Sequence, residues 1–205
     1  MSHYAIVVDL DHCTGCKGCE VACKHQNAVP LGERWNRLML CGPYGTFPNI
    51  SQYYMPVNCQ QCENAPCVEV CPVGASYRDP ETNKVLVDTD LCIGCQQCLS
   101  ACPYSCRDWN AEKSVVEKCN LCEELTSQGE LPHCVKVCSV QCRFYGDLDD
   151  PESDASKAIA AKPDAVHKLA DSGNGPTNVY LLSERYCEWH GDEFLCDDVY
   201  GHAHS

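Results

Sequence analysis

Cys92-Ile93-Gly94-Cys95-Gln96-Gln97-Cys98, followed by Cys102 and then Pro103, decides how this chain is read. The spacing is C-x2-C-x2-C-x3-C-P, which holds cubane iron–sulfur clusters through thiolates. Three cysteines at two-residue gaps wrap one cluster in a tight loop. The fourth stands on the helical turn that follows and points toward a second cluster. Gly94 suits a loop whose backbone amides approach the cluster sulfides closely.

Three further runs accompany it: Cys13/Cys16/Cys19/Cys23, Cys59/Cys62/Cys67/Cys71 and Cys119/Cys122/Cys134/Cys138. Four runs of four take sixteen of the chain's 21 cysteines. Run two inserts residues 63–66 before its third cysteine and run four inserts residues 123–133, yet all four keep x3 before the last. So many cysteines would also suit a secreted disulfide scaffold. Neighbours at two-residue gaps, however, rarely meet disulfide geometry. Zinc ribbons are built from C-x2-C pairs, and pairs leave the third cysteine and the x3-Cys-Pro unexplained. Iron–sulfur ligation accounts for every position of every run; a colourless, properly matured protein would remove it.

At 205 residues the chain has room for one domain or two small ones. Hydrophobic residues make up 44%, but cysteine supplies much of that, so the apolar core is thin. Metal ligation should therefore supply much of the folding free energy, leaving the apo chain largely unfolded. A formal net charge of −14 is a poor match for nucleic acid or an anionic membrane, and suits a basic partner face. No apolar run reaches the roughly 18 residues of a membrane span. Residues 1–12 hold a short apolar piece with acidic flanks, which is not a signal peptide.

Repeats around the runs show how they pair. Val7-Val8-Asp9-Leu10-Asp11-His12-Cys13-Thr14-Gly15-Cys16 matches Leu86-Val87-Asp88-Thr89-Asp90-Leu91-Cys92-Ile93-Gly94-Cys95 at Val, Asp, Asp, Cys, Gly and Cys in one register. Cys71-Pro72-Val73-Gly74-Ala75-Ser76-Tyr77-Arg78-Asp79 resembles Cys138-Ser139-Val140-Gln141-Cys142-Arg143-Phe144-Tyr145-Gly146-Asp147. Runs one and three thus share an approach strand, and runs two and four share an exit. A two-cluster ferredoxin needs one half of each kind. Runs two and three make one such unit, joined by a strand, a turn at residues 79–83 and a strand at 84–88. Runs one and four make a second, closed around the first. The exchange of fourth cysteines then predicts four sites. They are Cys13, Cys16, Cys19 and Cys138; Cys59, Cys62, Cys67 and Cys102; Cys92, Cys95, Cys98 and Cys71; and Cys119, Cys122, Cys134 and Cys23. The rival pairing, one with two and three with four, fits the cysteine gaps but not the strand repeats.

The expected fold is α+β: two nested bacterial-ferredoxin-like modules of short antiparallel hairpins and short helices. They fill residues 1–150, the outer from runs 13–23 and 119–138 and the inner from 59–102. Residues 4–10 read as a strand. Residues 26–57 read as a long connection, functional or docking, ending in a strand candidate at 52–57. Trp35 and Tyr44 within it pack on clusters, on a partner or, more simply, in the core. Residues 107–110 and 114–116 suit a hairpin, and 119–128 a helix capped by Gly129. Beyond 150, Asp150-Pro151 suits a helix start running to about 161. A second helix over 163–171 and a strand over 177–182 follow. Residues 151–205 form a C-terminal docking extension rather than a catalytic domain.

Cys106 and Cys142 follow their runs at one common offset and read as small buried residues. Cys41 has no spacing partner. Cys187, His190 and Cys196 with His202 could hold zinc, or the two cysteines a disulfide. Lys17 stands where runs two and three carry glutamine. A cation beside a cluster favours its reduced form, which would place the Cys13 cluster among the higher-potential centres.

The order and spacing of all four runs resemble the iron–sulfur electron-transfer (beta) subunit of the DMSO reductase family of molybdopterin oxidoreductases. The resemblance covers roughly residues 1–160 and includes Phe144-Tyr145-Gly146-Asp147-Leu148-Asp149-Asp150-Pro151-Glu152-Ser153. It implies four [4Fe-4S] clusters on the sixteen cysteines above and no bond chemistry in the chain itself. Some relatives carry tryptophan for a cysteine of run three; here Cys98 completes the set. Ser139 departs from the proline common after the last cysteine. The implied partners are a large catalytic subunit with molybdopterin (Mo or W), and a membrane anchor or a soluble electron donor. The implied location is a membrane-associated complex on the extracytoplasmic face, reached through a partner's twin-arginine signal, with a cytoplasmic complex as the alternative. A polyferredoxin subunit of a formate dehydrogenase or hydrogenase keeps the wire and changes the partner; a zinc-binding structural protein is the alternative of another class.

Overall fold

A four-stranded sheet gathers strands from both ends of the sequence. The computed structural model describes residues 2–191. Strand β1 (Tyr4–Asp9) is almost fully buried. Its β-branched residues suit a strand covered on both faces. It pairs antiparallel with β8 (Arg143–Asp147) and parallel with β10 (Val179–Leu181), and β10 pairs with β9 (Val166–His167), giving the order β8-β1-β10-β9. The approach to run one therefore pairs with the exit of run four.

Three two-stranded ribbons complete the strand inventory. The ribbon of β4 (Ser76–Arg78) with β5 (Val85–Val87) pairs the exit of run two with the approach to run three. The turn between them is held by Asp79, whose carboxylate accepts from Glu81 N, Thr82 N and Thr82 Oγ1. β6 (Asp108–Asn110) and β7 (Val115–Glu117) form the short hairpin between runs three and four. The longest ribbon is β2 (Asn36–Thr46) against β3 (Asn49–Asn58), with a register shift between Cys41 and Tyr44. Residues 26–57 are thus largely a hairpin rather than an irregular connection. Gly42, Pro43 and Gly45 hide β2 in the sequence; Gly42 and Pro43 sit where the register shifts, which is where strands tolerate them.

Each cysteine run continues into a short helix. These are α1 (Gly18–Gln26), α2 (Pro66–Glu69), α3 (Gln97–Ser100), α4 (Glu123–Thr126) and α5 (His133–Lys136). Helices of four residues have no independent stability, so their positions depend on what their cysteines hold. α1 packs on α5, and α2 on α3.

Three sequence expectations change here. The helix expected over 119–128 is only α4, because Leu121 and Cys122 are left-handed at φ 58° and 53° and cannot continue a helix. Gly129 does end it, with Glu130 N donating to Leu125 O and Gly129 N to Thr126 O. Asp150-Pro151 is not the helix start: α6 (Asp154–Ala161) begins later, capped by Ser153 Oγ accepting from Ser156 N at 3.1 Å. Asp150 instead closes a turn, accepting from Glu152 N. The second helix expected over 163–171 is one 3-10 turn, Pro163–Ala165, which gives way to β9. Pairing with β10 wins there over local helix preference. Cys196 and His202 lie outside the described residues.

The core has two parts. The larger joins cage cysteines to Ile6, Val8, Met55, Val57, Val85, Tyr104, Val116, Leu121 and Tyr180. The smaller, Val7, Ala155, Val179 and Leu181, seats α6 on the other face of β1. Trp35 and Tyr44 pack against the larger part, and Tyr44 stacks on His190 with ring centroids 3.7 Å apart.

Candidate functional site

The four runs fold back on one local device. The residue before the second cysteine is left-handed in every run: Gly15 (φ 69°), Gln61 (52°), Gly94 (68°) and Leu121 (58°). Alternating helical and left-handed residues turn successive N–H groups into one concavity, an anion-binding arrangement found at iron–sulfur sites. Glycine at 94 is required twice over. A Cβ there would lie 2.7 Å from Ser114 O and 3.1 Å from the Trp109 ring, in a conformation L residues rarely adopt.

Cysteines from different runs then meet. Cys71 lines one cavity with Cys92, Cys95 and Cys98. Cys102 lines another with Cys59, Cys62 and Cys67. Cys138 lines a third with Cys13, Cys16 and Cys19. The fourth set is marked by mutual influence: Cys23 is pushed up first by burial and then by Cys119, Cys134 and Cys122.

The cages form a row. Arg107 lines both the Cys92 and the Cys59 cavities. The Cys59 set adjoins the Cys119 set, since Asn58 Nδ2 donates to Cys59 O at 3.1 Å and reaches Cys119 Sγ at 3.8 Å. The Cys119 set adjoins the Cys13 set through Arg143, which lines the Cys13 cavity and donates to Cys134 Sγ at 3.6 Å. In the two inner sets every cysteine is buried, whereas Cys95 and Cys16 in the outer sets are exposed.

None of the twenty cysteines of the described residues is in a disulfide. Among those residues no three His, Cys, Asp or Glu side chains converge tightly enough for a single metal ion. Four thiols lining one cavity fit a polynuclear group. The zinc set imagined around Cys187 and His190 does not form from the described residues; Cys187 Sγ instead donates to Ser51 Oγ at 3.2 Å.

The electrostatics suit the same group. Burial, then neighbouring thiols, push Cys62 and Cys119 up to about 12. Thiols this crowded do not ionise together unless a metal centre binds their thiolates. The fourth cysteines receive backbone N–H groups. Ser76 N donates to Cys71 Sγ at 3.3 Å, Cys106 N to Cys102 at 3.4 Å and Cys142 N to Cys138 at 3.4 Å. Cys102 is lowered to about 6 by the Cys106 thiol, against burial, with the N–H groups of Cys106 and Tyr104 adding to the shift. Cys106 and Cys142 are the buried residues expected, 5% and 3% exposed; the Cys142 thiol also lies 3.5 Å from Cys138 Sγ, and the Cys106 thiol donates to Asn58 O at 3.2 Å.

Sequence reasoning missed several partners. Asn174, 2% exposed, donates through Nδ2 to Cys62 Sγ at 3.1 Å and to Tyr104 Oη at 2.8 Å. Thr177 and Asn178 donate to the carbonyls of Gln61 and Cys59. The segment over 174–178 thus seals the Cys59 cage, and no spacing rule marks it. Arg107 and Arg143 each follow the fourth cysteine of their run at the same offset, a signal that was readable.

The family model described as a 4Fe-4S dicluster domain matches residues 50–148, and a 4Fe-4S binding domain matches residues 10–29. The chain is 38% identical to a Halobacterium salinarum protein named for the iron–sulfur subunit of dimethyl sulfoxide reductase, covering 90% of this chain and 80% of that one. It is 38% identical to a sulfite dehydrogenase subunit of Allochromatium vinosum over 88% of this chain and 83% of that one. It is 37% identical to the thiosulfate reductase electron transfer subunit PhsB of Salmonella typhi, over 91% and 96%. The chain belongs to the iron–sulfur electron-transfer subunits of the DMSO reductase family. It binds [4Fe-4S] clusters, and like its relatives it is an electron-transfer rather than a catalytic subunit. No described helix is long and apolar enough to cross a membrane.

When bound, the clusters supply one-electron chemistry with little structural change. The chain's own part is to present thiolates, donate N–H groups to sulfur, and exclude water from the two inner cages.

Proposed function

We propose that this chain relays electrons through four [4Fe-4S] clusters held by the four cysteine sets above. The clusters sit in two nested ferredoxin modules, and residues 151–205 dock against them. One end of the row exchanges electrons with a large molybdopterin-containing (Mo or W) catalytic subunit. The other serves a membrane anchor or a soluble donor, in a complex that a partner's twin-arginine signal carries to the extracytoplasmic face. The observation that carries this reading is the row itself: two sets buried in the middle, and a set with an exposed cysteine at each end. Buried centres can pass electrons only to neighbours, whereas centres with exposed ligands can meet partners. The pairing of α1 with α5 and of α2 with α3 supports two nested halves. The sheet shared by β1 and β10 supports docking of the C-terminal residues.

Purification of the intact complex tests the proposal. About sixteen irons per chain, and a co-purifying large subunit containing molybdenum or tungsten, are expected. A well-matured chain with about eight irons would overturn the four-cluster reading; a nickel-containing partner would overturn the choice of catalytic subunit.

A further inference from the structure

Two arginines are buried in a chain whose formal net charge is −14. Arg107 is 3% exposed and Arg143 4%. A buried guanidinium is costly unless anionic groups surround it. Neither has a carboxylate partner among its hydrogen bonds: Arg107 Nη2 donates to Ser76 Oγ at 2.6 Å, and Arg143 Nη2 to Cys134 Sγ at 3.6 Å. Among the described residues, Nε and Nη1 of both meet no acceptor in hydrogen-bonding geometry. Cage cysteines are their neighbours. Arg107 lines the cavities of both the Cys59 and the Cys92 sets, and Arg143 lines the Cys13 cavity while donating to Cys134 Sγ of the next set.

We propose that Arg107 and Arg143 are the charge-setting residues of the wire, one in each pair of neighbouring cages. Their unsatisfied N–H groups donate to cluster sulfur, and each guanidinium holds up the reduction potentials of the two clusters it touches. The proposal rests on the four-cluster reading above. Each arginine follows a fourth cysteine, Cys102 or Cys138, at the same offset, so one local design serves both halves. A thiolate-bound cluster is anionic and becomes more so on reduction, so a fixed cation favours the reduced form. A unit charge within about 10 Å, at an effective dielectric of about 20, shifts a one-electron equilibrium by more than tenfold. Arg107 couples the Cys92 and Cys59 cages, and Arg143 couples the Cys13 and Cys119 cages. The exposed Lys17 also lines the Cys13 cavity, but solvent screens it.

The test is a redox titration of the holoprotein followed by electron paramagnetic resonance, with iron analysis alongside. Arg107→Gln should lower two midpoint potentials and Arg143→Gln the other two. Each should fall by about 59 mV, a tenfold loss in the ratio of reduced to oxidised cluster. Arg107→Lys and Arg143→Lys keep the charge and should hold all potentials within about threefold in that ratio. Unshifted potentials in an iron-replete Gln variant would overturn the proposal, as would an equal fall in all four centres. Should a Gln variant lose iron, the Lys variants decide: a tenfold fall there would rule out charge as the cause. Iron content of the unmutated protein reports separately on the four-cluster reading, so the two failures are distinguishable.

Discussion

Removing the clusters should unfold this protein, and the size of the effect follows from two side chains. Nε and Nη1 of Arg107 and of Arg143 make four buried donors with no acceptor among the described residues. A buried donor left unsatisfied costs about 1–3 kcal/mol, so stripping cluster sulfur away costs about 4–12 kcal/mol at these four atoms alone. Whole domains are stable by only about 5–15 kcal/mol. The four-residue helices α2 to α5 add little resistance. The assay is oxidative removal of the clusters with a chelator, return to thiol reductant so that no disulfide forms, then far-ultraviolet circular dichroism and amide hydrogen exchange. Loss of protection throughout is expected, including at Ile6, Val8 and Tyr180 in the sheet. An apo chain that keeps slow exchange at those three residues would refute the reasoning, because the buried cations would then be tolerated without cluster sulfur.

Further outcomes follow from individual contacts. Asn174→Leu removes the donor to Cys62 Sγ at 3.1 Å; about half of a charged hydrogen bond's value gives a fall of about 30–60 mV in one potential, read by titration. Cys102→Ala and Cys67→Ala should abolish the same resonance signal, whereas Cys102→Ala and Cys98→Ala should abolish different ones, because Cys102 lines the Cys59 cavity. Lys17→Gln should lower one potential by about 10–40 mV at low salt, fading as salt is added, since the side chain is exposed. Asp11 is partly buried, which raises its pKa, but hydrogen bonds from Lys162 and Ser183 pull it below its usual value. A lowered carboxyl pKa contributes stability above the unfolded value near 3.8, lost as pH falls through the folded value. At pH 7, Asp11→Asn should therefore speed hydrogen exchange around Ser183, and unchanged exchange would dismiss the contact.

Three of the four expected cysteine sets each line one cavity, and spacing made that legible because spacing is itself geometry. A cysteine three residues past another on a turn, with a left-handed residue between, leaves few ways to face one cluster. The repeated strands paired run two with run three, and the fourth-cysteine exchange of two-cluster ferredoxins then anticipated Cys71 and Cys102 lining each other's cavities. The long β2–β3 hairpin was obscured because Gly42, Pro43 and Gly45 speak for a loop when read locally. The helix expected at 119–128 failed because nothing in the local sequence marks Leu121 and Cys122 as left-handed. Asn174 was invisible, since its partner Cys62 stands 112 residues away and only tertiary packing joins them.

β1 has its neighbours far along the chain: Tyr4 faces Asp147, and Val8 faces Tyr180. On a ribosome the first strand made must wait, unpaired, until residues 143–147 have emerged, and longer still for 179–181. Its hydrophobic surface and the thiols of run one stay uncommitted for most of synthesis. If Cys138 completes the Cys13 set as proposed, that set can close only after residue 138 has been made.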